Sequence, residues 1–181
     1  ADLGHVPFIL LPAETYDASK VLGMVCRADG YIEKPFSVQY LEACINNLVS
    51  LRAMLRNKYS TSPLMPLTSV ANNNTDTNFL KNMTDIIEAH FSDSNLSVDF
   101  LTEQMGISRS SLYNKIKVLT DKTPNELIQL MRLKKAAQLL RENKYRINEI
   151  CYMVGFNNPS YFSKCFYKQF GMKAGEFAAP S

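Results

Sequence analysis

From Phe79 onward apolar side chains recur every three or four positions, and the pattern breaks in the same way twice. Phe79, Leu80, Met83, Ile86, Ile87 and Phe91 mark a first helix. A short helix then ends at Met105-Gly106. Ile107 and Ser108 lead into a second, running to about Leu119, whose inward pair is Leu112 and Ile116. Further along, an apolar stretch from Ile150 to Val154 stops at Gly155. Phe156 follows, and the helix after Asn158-Pro159 turns Phe162 and Phe166 inward. At both breaks a glycine can take the positive φ that ends one helix, and an i, i+4 apolar pair seats the next. The chain therefore carries two helix-turn-helix patterns in tandem, the second with one extra residue in its turn. Between them, Thr123-Pro124-Asn125-Glu126 combines a capping box with proline at the first helical position. The helix it opens carries Leu127, Ile128, Leu130, Met131, Leu133, Ala136, Ala137, Leu139 and Leu140, enough to be buried between the two units as a rigid spacer.

The first 58 residues follow a different rhythm, read as β-α-β-α. Phe8-Ile-Leu-Leu11 is a continuous apolar run, as in a strand buried in a parallel sheet. Asp17 to Cys26 has helical spacing with Val21, Leu22 and Val25 on one face, and Gly30 to Lys34 is a short strand stopped by Pro35. Ser37 is placed to cap a helix with a stripe of Tyr40, Leu41, Cys44, Ile45, Leu48, Leu51 and Leu55. Two strands and two helices bury too little apolar surface to stand alone, so partner strands are expected upstream. Residues 59–78, rich in Ser, Thr, Asn and Pro, read as a flexible linker to a third segment, 79–181.

Charge sharpens the division. Residues 79–181 hold 14 Lys and Arg against 10 Asp and Glu, whereas residues 1–78 hold 6 against 7. The positive balance lies with the helix-turn-helix half, where a phosphate-binding surface would need it. Four cysteines (Cys26, Cys44, Cys151, Cys165) and two histidines (His5, His90) show no metal-ligand spacing, so no metal and no cofactor are expected, and Cys151 and Cys165 read as buried thiols. No apolar run is long enough to span a bilayer and no signal peptide opens the chain. A cytoplasmic location without membrane contact is the expectation. The seven glycines are scattered singly, and no nucleophile–base pair is apparent, which argues against an enzyme.

With Leu112 and Ile116 turned inward, Ser110, Tyr113, Asn114 and Lys117 face outward on the first recognition helix. Asn bonds adenine bidentately, and Ser and Tyr reach base edges; Arg109, Lys115 and Lys117 are placed for phosphates. On the second helix the outward set is Ser160, Tyr161, Ser163, Lys164 and Lys168. Any one of these is as readily part of a solvated helix face. As clusters they are not, because no acidic residue occurs between Arg109 and Leu119 or between Asn157 and Phe170. For both helices to enter the major groove on one side of a duplex they must lie roughly 34 Å apart.

The second motif, with Ile147-Asn-Glu-Ile150, Gly155-Phe156, Pro159-Ser-Tyr-Phe162-Ser-Lys, Phe166, Gly171 and Phe177, resembles the DNA-binding domain of the AraC family of bacterial transcription regulators. The resemblance implies a mainly α fold, a seven-helix bipartite domain of two helix-turn-helix units joined by a long helix. It also implies base reading by Ser110, Tyr113 and Asn114 in the first unit and by Ser160, Tyr161 and Lys164 in the second. This chain departs from that family at Cys151, usually Ala, and at Lys173-Ala174, where a Thr/Ser-Pro pair normally opens the last helix.

The first 58 residues resemble the C-terminal half of a response-regulator receiver domain through Ala28-Asp-Gly-Tyr31-Ile-Glu-Lys34-Pro35-Phe36. The resemblance implies that Tyr31 is the switch aromatic and Lys34 the phosphate-contacting lysine. Pro12 stands at the switch hydroxyl's place, and the phosphoacceptor would lie upstream. The order of segments is similar to the end of hybrid two-component regulators. It implies the output portion of a phosphorelay, with homodimerisation through Tyr40, Leu41, Cys44, Leu48 and Leu51. The competing reading is a protein-interaction module that has lost DNA binding; the basic and amide residues on both recognition helices favour double-stranded DNA.

Overall fold

In the computed structural model, which describes residues 8–12, 28–71, 73–93 and 95–178, Ile9–Leu10 (β1) and Gly30–Tyr31 (β2) pair in parallel, with Ile9 opposite Gly30 and Leu10 opposite Tyr31. The Asp29 amide donates to the Phe8 carbonyl and that of Ile32 to Leu10, each at 3.0 Å. The ladder is shorter than expected: β1 offers only two residues, so Glu33 and Lys34 leave it. The run expected as a buried strand also leaves Phe8 and Leu11 exposed, because no further strand among the described residues flanks the pair. The helix expected over Asp17–Cys26 lies outside the described residues.

Ser37 caps Val38–Thr61 (α1) by accepting the Tyr40 amide at 3.1 Å. The stripe read from the sequence is only half covered. Leu41, Cys44, Leu48 and Leu55 are partly buried, while Tyr40, Ile45 and Leu51 remain exposed.

The segment expected to be a flexible linker has a defined structure. α1 runs on to Thr61, a 3-10 turn forms at Leu67–Val70, and Asn73 caps the next helix, Asn74–Ala89 (α2), through the Asp76 amide at 2.8 Å. Leu67 and Val70 are buried in the first hydrophobic core. The physical reason is long-range. The Lys134 ammonium donates to the Ser62 and Met65 carbonyls, both at 2.9 Å, and sits 3.6 Å from the centre of the Tyr59 ring. Polar residues that read as disorder act here as caps and turns around a fixed cation. Burial pulls the Lys134 pKa down to about 8. Its amine keeps donors for both carbonyls in either protonation state.

Among the described residues six helices follow α2: Val98–Met105 (α3), Arg109–Thr120 (α4), Pro124–Glu142 (α5), Ile147–Met153 (α6), Pro159–Phe170 (α7) and Ala174–Ala178 (α8). They enclose two cores. Leu80, Met83, Ile87, Leu101, Leu112, Ile116 and Leu119 build the first with Leu127, Leu130 and Met131 of α5. Ile150, Val154, Phe162 and Phe166 build the second with Leu133, Ala136, Ala137 and Leu140, further along the same helix. α5 is thus the buried spacer that its composition predicts, with the capping box and first-turn proline in place: Thr123 accepts the Glu126 amide and Glu126 accepts the Thr123 amide. The missing Ser/Thr-Pro pair before α8 is offset by Glu176, whose carboxylate accepts the Lys173 amide at 3.0 Å, while Ala174 is buried.

Candidate DNA-binding surface

The first unit is α3, the turn at Gly106 and α4. Gly106 takes φ 63°, and the next amide, Ile107, returns to the Thr102 carbonyl at 3.2 Å, closing the end of α3. Ser108 caps α4 by accepting the Ser111 amide. Leu112 and Ile116 are fully enclosed, so α4 is held by its inner face with the opposite face free.

Ser110 and Asn114 lie exposed, one turn apart, with Tyr113 half-buried beside them. Arg109 is exposed and bonded to the Asp99 carboxylate at 2.5 Å, its guanidinium 5.7 Å from the Tyr113 ring. The hydrogen bond to Tyr113 and the charge of Asp99 both raise its affinity for its proton. Lys117 is exposed but tied to Asp121, 2.9 Å to the carboxylate and 3.0 Å to the carbonyl, and the same pairing lowers the Asp121 pKa. On DNA, phosphates would compete for both cations with weak, solvent-screened surface partners.

Lys115 does not belong to this face. It is turned toward α2, 3.9 Å from the enclosed Asp76 carboxylate and 4.9 Å from the centre of the Phe79 ring, with only 19% of its side chain exposed. Helical geometry explains the correction: position 115 follows Leu112 by three and precedes Leu119 by four, which places it on the core side.

The second unit is α6, the turn at Gly155 and α7. Gly155 takes φ 80°, and the Phe156 amide returns to Cys151 at 3.0 Å. Asn158 caps α7 by accepting the Tyr161 amide at 3.0 Å, and Pro159 is its first residue. Phe162 and Phe166 point inward, leaving Ser160, Tyr161, Ser163, Lys164 and Lys168 exposed. The Ser163 hydroxyl donates to the Pro159 carbonyl at 2.9 Å, so it faces solvent as an acceptor. Tyr161 leans toward α5, its hydroxyl within 3.3 Å of the Gln129 amide nitrogen.

That contact marks a cleft of about 460 Å³ between α5 and α7, whose polar lining includes Lys122, Glu126, Gln129, Tyr161, Lys164 and Lys168. Lys122 and Gln129 escape a motif-based reading because they lie outside both recognition helices. The only local signal is Gln129 itself, an amide in the apolar run from Leu127 to Met131. Cys151 is buried as expected, whereas Cys165 is only half-buried and accepts from Gln129 at 3.0 Å. Near β2, Lys34 is exposed and the Tyr31 hydroxyl is enclosed without a hydrogen-bond partner. Neither residue joins the recognition helices. Among the described residues no helix is long and apolar enough to cross a membrane.

Comparison with known proteins bears on the same region. A family profile described as a helix-turn-helix domain matches residues 101–179. The chain is 38% identical over 173 residues to histidine kinase P4 of Formosa agariphila, a match covering 96% of this chain and 13% of that protein. It is 33% identical over 84 residues to the transcriptional activator RhaS of Escherichia coli strain SE11, covering 46% of this chain and 30% of that protein. It thus spans well under half the length of either relative. Among solved structures, a transcriptional regulator with an AraC-type DNA-binding domain from Chromobacterium violaceum superposes with a TM-score of 0.54 at 25% identity, covering 59% of this chain and 94% of that one. The two capped turns, the shared spacer helix and these matches agree: residues 101–179 form a helix-turn-helix domain whose fold is similar to that of an AraC-type DNA-binding domain.

Proposed function

We propose that this chain is the sequence-reading output portion of a two-component phosphorelay, binding duplex DNA through α4 and α7. The observation that carries the reading is a pair of acid-free, amide- and cation-bearing helix faces, both hung from α5. Ser110, Tyr113 and Asn114 read bases in one half-site, and Ser160, Tyr161 and Lys164 in the other. Arg109, Lys117 and Lys168 hold phosphates, joined by Lys122 from the cleft, and Ser163 joins them by turning its hydroxyl from the Pro159 carbonyl to a phosphate. The phosphorelay part is supported by the relative named histidine kinase P4, whose match over 96% of the chain extends into the first 58 residues. Tyr31 and Lys34 are then the remnants of the receiver's switch.

Selection of bound duplex from a random pool tests the DNA reading, with Asn114 and Lys117 as the informative pair. Asn114→Ala costs about 1–3 kcal/mol on the selected site and much less on random duplex, whereas Lys117→Ala weakens both alike. Between two salt concentrations affinity falls by about tenfold or more through counterion release. Equal losses on selected and random DNA for Asn114→Ala remove that residue from the readers.

Self-association is a second element of the proposal. Tyr40 and Leu51, exposed at 55% and 52%, are the uncovered members of the α1 set Tyr40, Leu41, Cys44, Leu48 and Leu51. A concentration-dependent rise toward dimer mass in light scattering, abolished by Leu51→Glu, is the expected result; a monomer throughout rejects it.

A further inference from the structure

The two cores share α5, and the units also approach where Gly155 lies against the Phe91 carbonyl just beyond α2, so the twist between α4 and α7 depends on that helix, on that approach and on polar contacts that cross between the units. One set of these contacts comes from α1. The Arg56 guanidinium donates from Nε to the Leu119 carbonyl at 3.1 Å and from Nη2 to the Val118 carbonyl. Both carbonyls belong to the last turn of α4, where no intrahelical amide remains to bond them, and where the negative end of the helix dipole favours a cation. Four residues on, the Ser60 carbonyl, itself in the last turn of α1, accepts the Gln169 side-chain amide at 2.7 Å. Gln169 lies in the last turn of α7.

Arg56 and Ser60 stand on one face of α1, about 6 Å apart along its axis. A single rigid helix therefore touches the C-terminal ends of both recognition helices. Its own position is fixed on both sides. Ahead of Arg56, Arg52 on the same face bonds the Asp29 carboxylate at 2.6 Å, and the other Asp29 oxygen accepts the Phe8 amide. Beyond Ser60, the Lys134 ammonium holds the Ser62 and Met65 carbonyls and Tyr59 packs beneath it.

We propose that α1, which lies outside the DNA-binding domain proper, is a brace that fixes the spacing between the half-sites the two recognition helices read, with Arg56 and Gln169 as its positioning residues. The inference rests on the DNA reading given above. Inserting one base pair between half-sites moves the second by about 3.4 Å and 34° around the duplex. A braced pair of helices cannot follow that rotation; a pair freed of the α1 contacts can twist toward it. Neither positioning residue contacts DNA in this account, so their loss acts on spacing choice and leaves base choice unchanged.

The test measures affinity of the full chain for its selected duplex and for versions with one base pair added to or removed from the spacer. The expected penalty for either change is tenfold or more in the parent. In an Arg56→Met/Gln169→Leu double variant it falls to about threefold or less, with affinity for the original spacing held within about threefold. Gln169→Leu alone, which cuts only the contact between α1 and α7, guards against a double variant that fails to fold, and is expected to relax the penalty partway. A folded Gln169→Leu variant with the parent's full spacing penalty, or a parent indifferent to spacing, overturns the brace. Failure of the parent to retain any duplex from the pool is a separate result, and sinks the DNA reading itself together with the brace.

Discussion

Gly155→Ala is expected to destabilise the fold by roughly 3–5 kcal/mol, the sum of a strained backbone and a forced core displacement. Gly155 sits at φ 80°, where a side chain is strained wherever it points. A Cβ built there falls 2.2 Å from the Phe91 carbonyl oxygen and 2.8 Å from Cζ and Nη2 of Arg132. The carbonyl cannot swing aside as a side chain would, and Arg132 is itself anchored, donating to the Asp93 carbonyl at 3.0 Å. Relief therefore requires the turn of the second unit to back away from the end of α2. In thermal unfolding followed by circular dichroism, the melting temperature should drop by on the order of 10 °C.

Gly106 is the control. Its φ of 63° makes the same demand on the backbone, but nothing lies within 4 Å of a Cβ there. Gly106→Ala should cost only about 1–2 kcal/mol. Equal small losses at both positions would show that the close approach at Gly155 carries no weight. The pair also separates what a sequence can disclose from what it cannot. The positive φ at each glycine follows from the local order of short helix, glycine and apolar residue. The crowding at one of them comes from Phe91 and Arg132, on other elements.

The same division holds across the molecule. Caps at Ser37, Ser108, Thr123 and Asn158, the inward pairs Leu112/Ile116 and Phe162/Phe166, and the burial of α5 are set by residues within a turn or two of each other, and all are legible in advance. The basic character of Lys115 suggests a phosphate contact, but its spacing from Leu112 and Leu119 puts it on the core side, where the structure has it. The segment after α1 differs from its expectation for another reason. Its composition is that of a linker, and what orders it is Lys134, some seventy residues away in sequence. Contacts of that range, Arg56 to α4 and Gln169 to α1 among them, have no periodicity or motif to announce them. For DNA reading the consequence is specific. Sequence picks out the two exposed faces proposed to meet bases, while the elements that hold those faces in place emerge only from tertiary structure.

Phe166→Ala probes how independent the two faces are. Phe166 is fully buried, and its ring lies 5.8 Å from that of Phe162, 4.9 Å from Phe170 and 5.6 Å from Phe177, centre to centre. Truncation leaves a cavity at the middle of this cluster and is expected to cost about 3–5 kcal/mol. The loss falls on the core that seats α7, whereas α4 rests on Leu112, Ile116 and Leu119 in the other core. Hydrogen exchange should therefore quicken in α6, α7 and α8 while α3 and α4 keep most of their protection. On DNA the footprint should contract from two half-sites to the one proposed to be read by Ser110, Tyr113 and Asn114. Uniform loss of protection, with both half-sites released together, would mean that α5 and the bridging contacts make the two cores one cooperative body. The spacing brace would then add to a coupling already present in the packing.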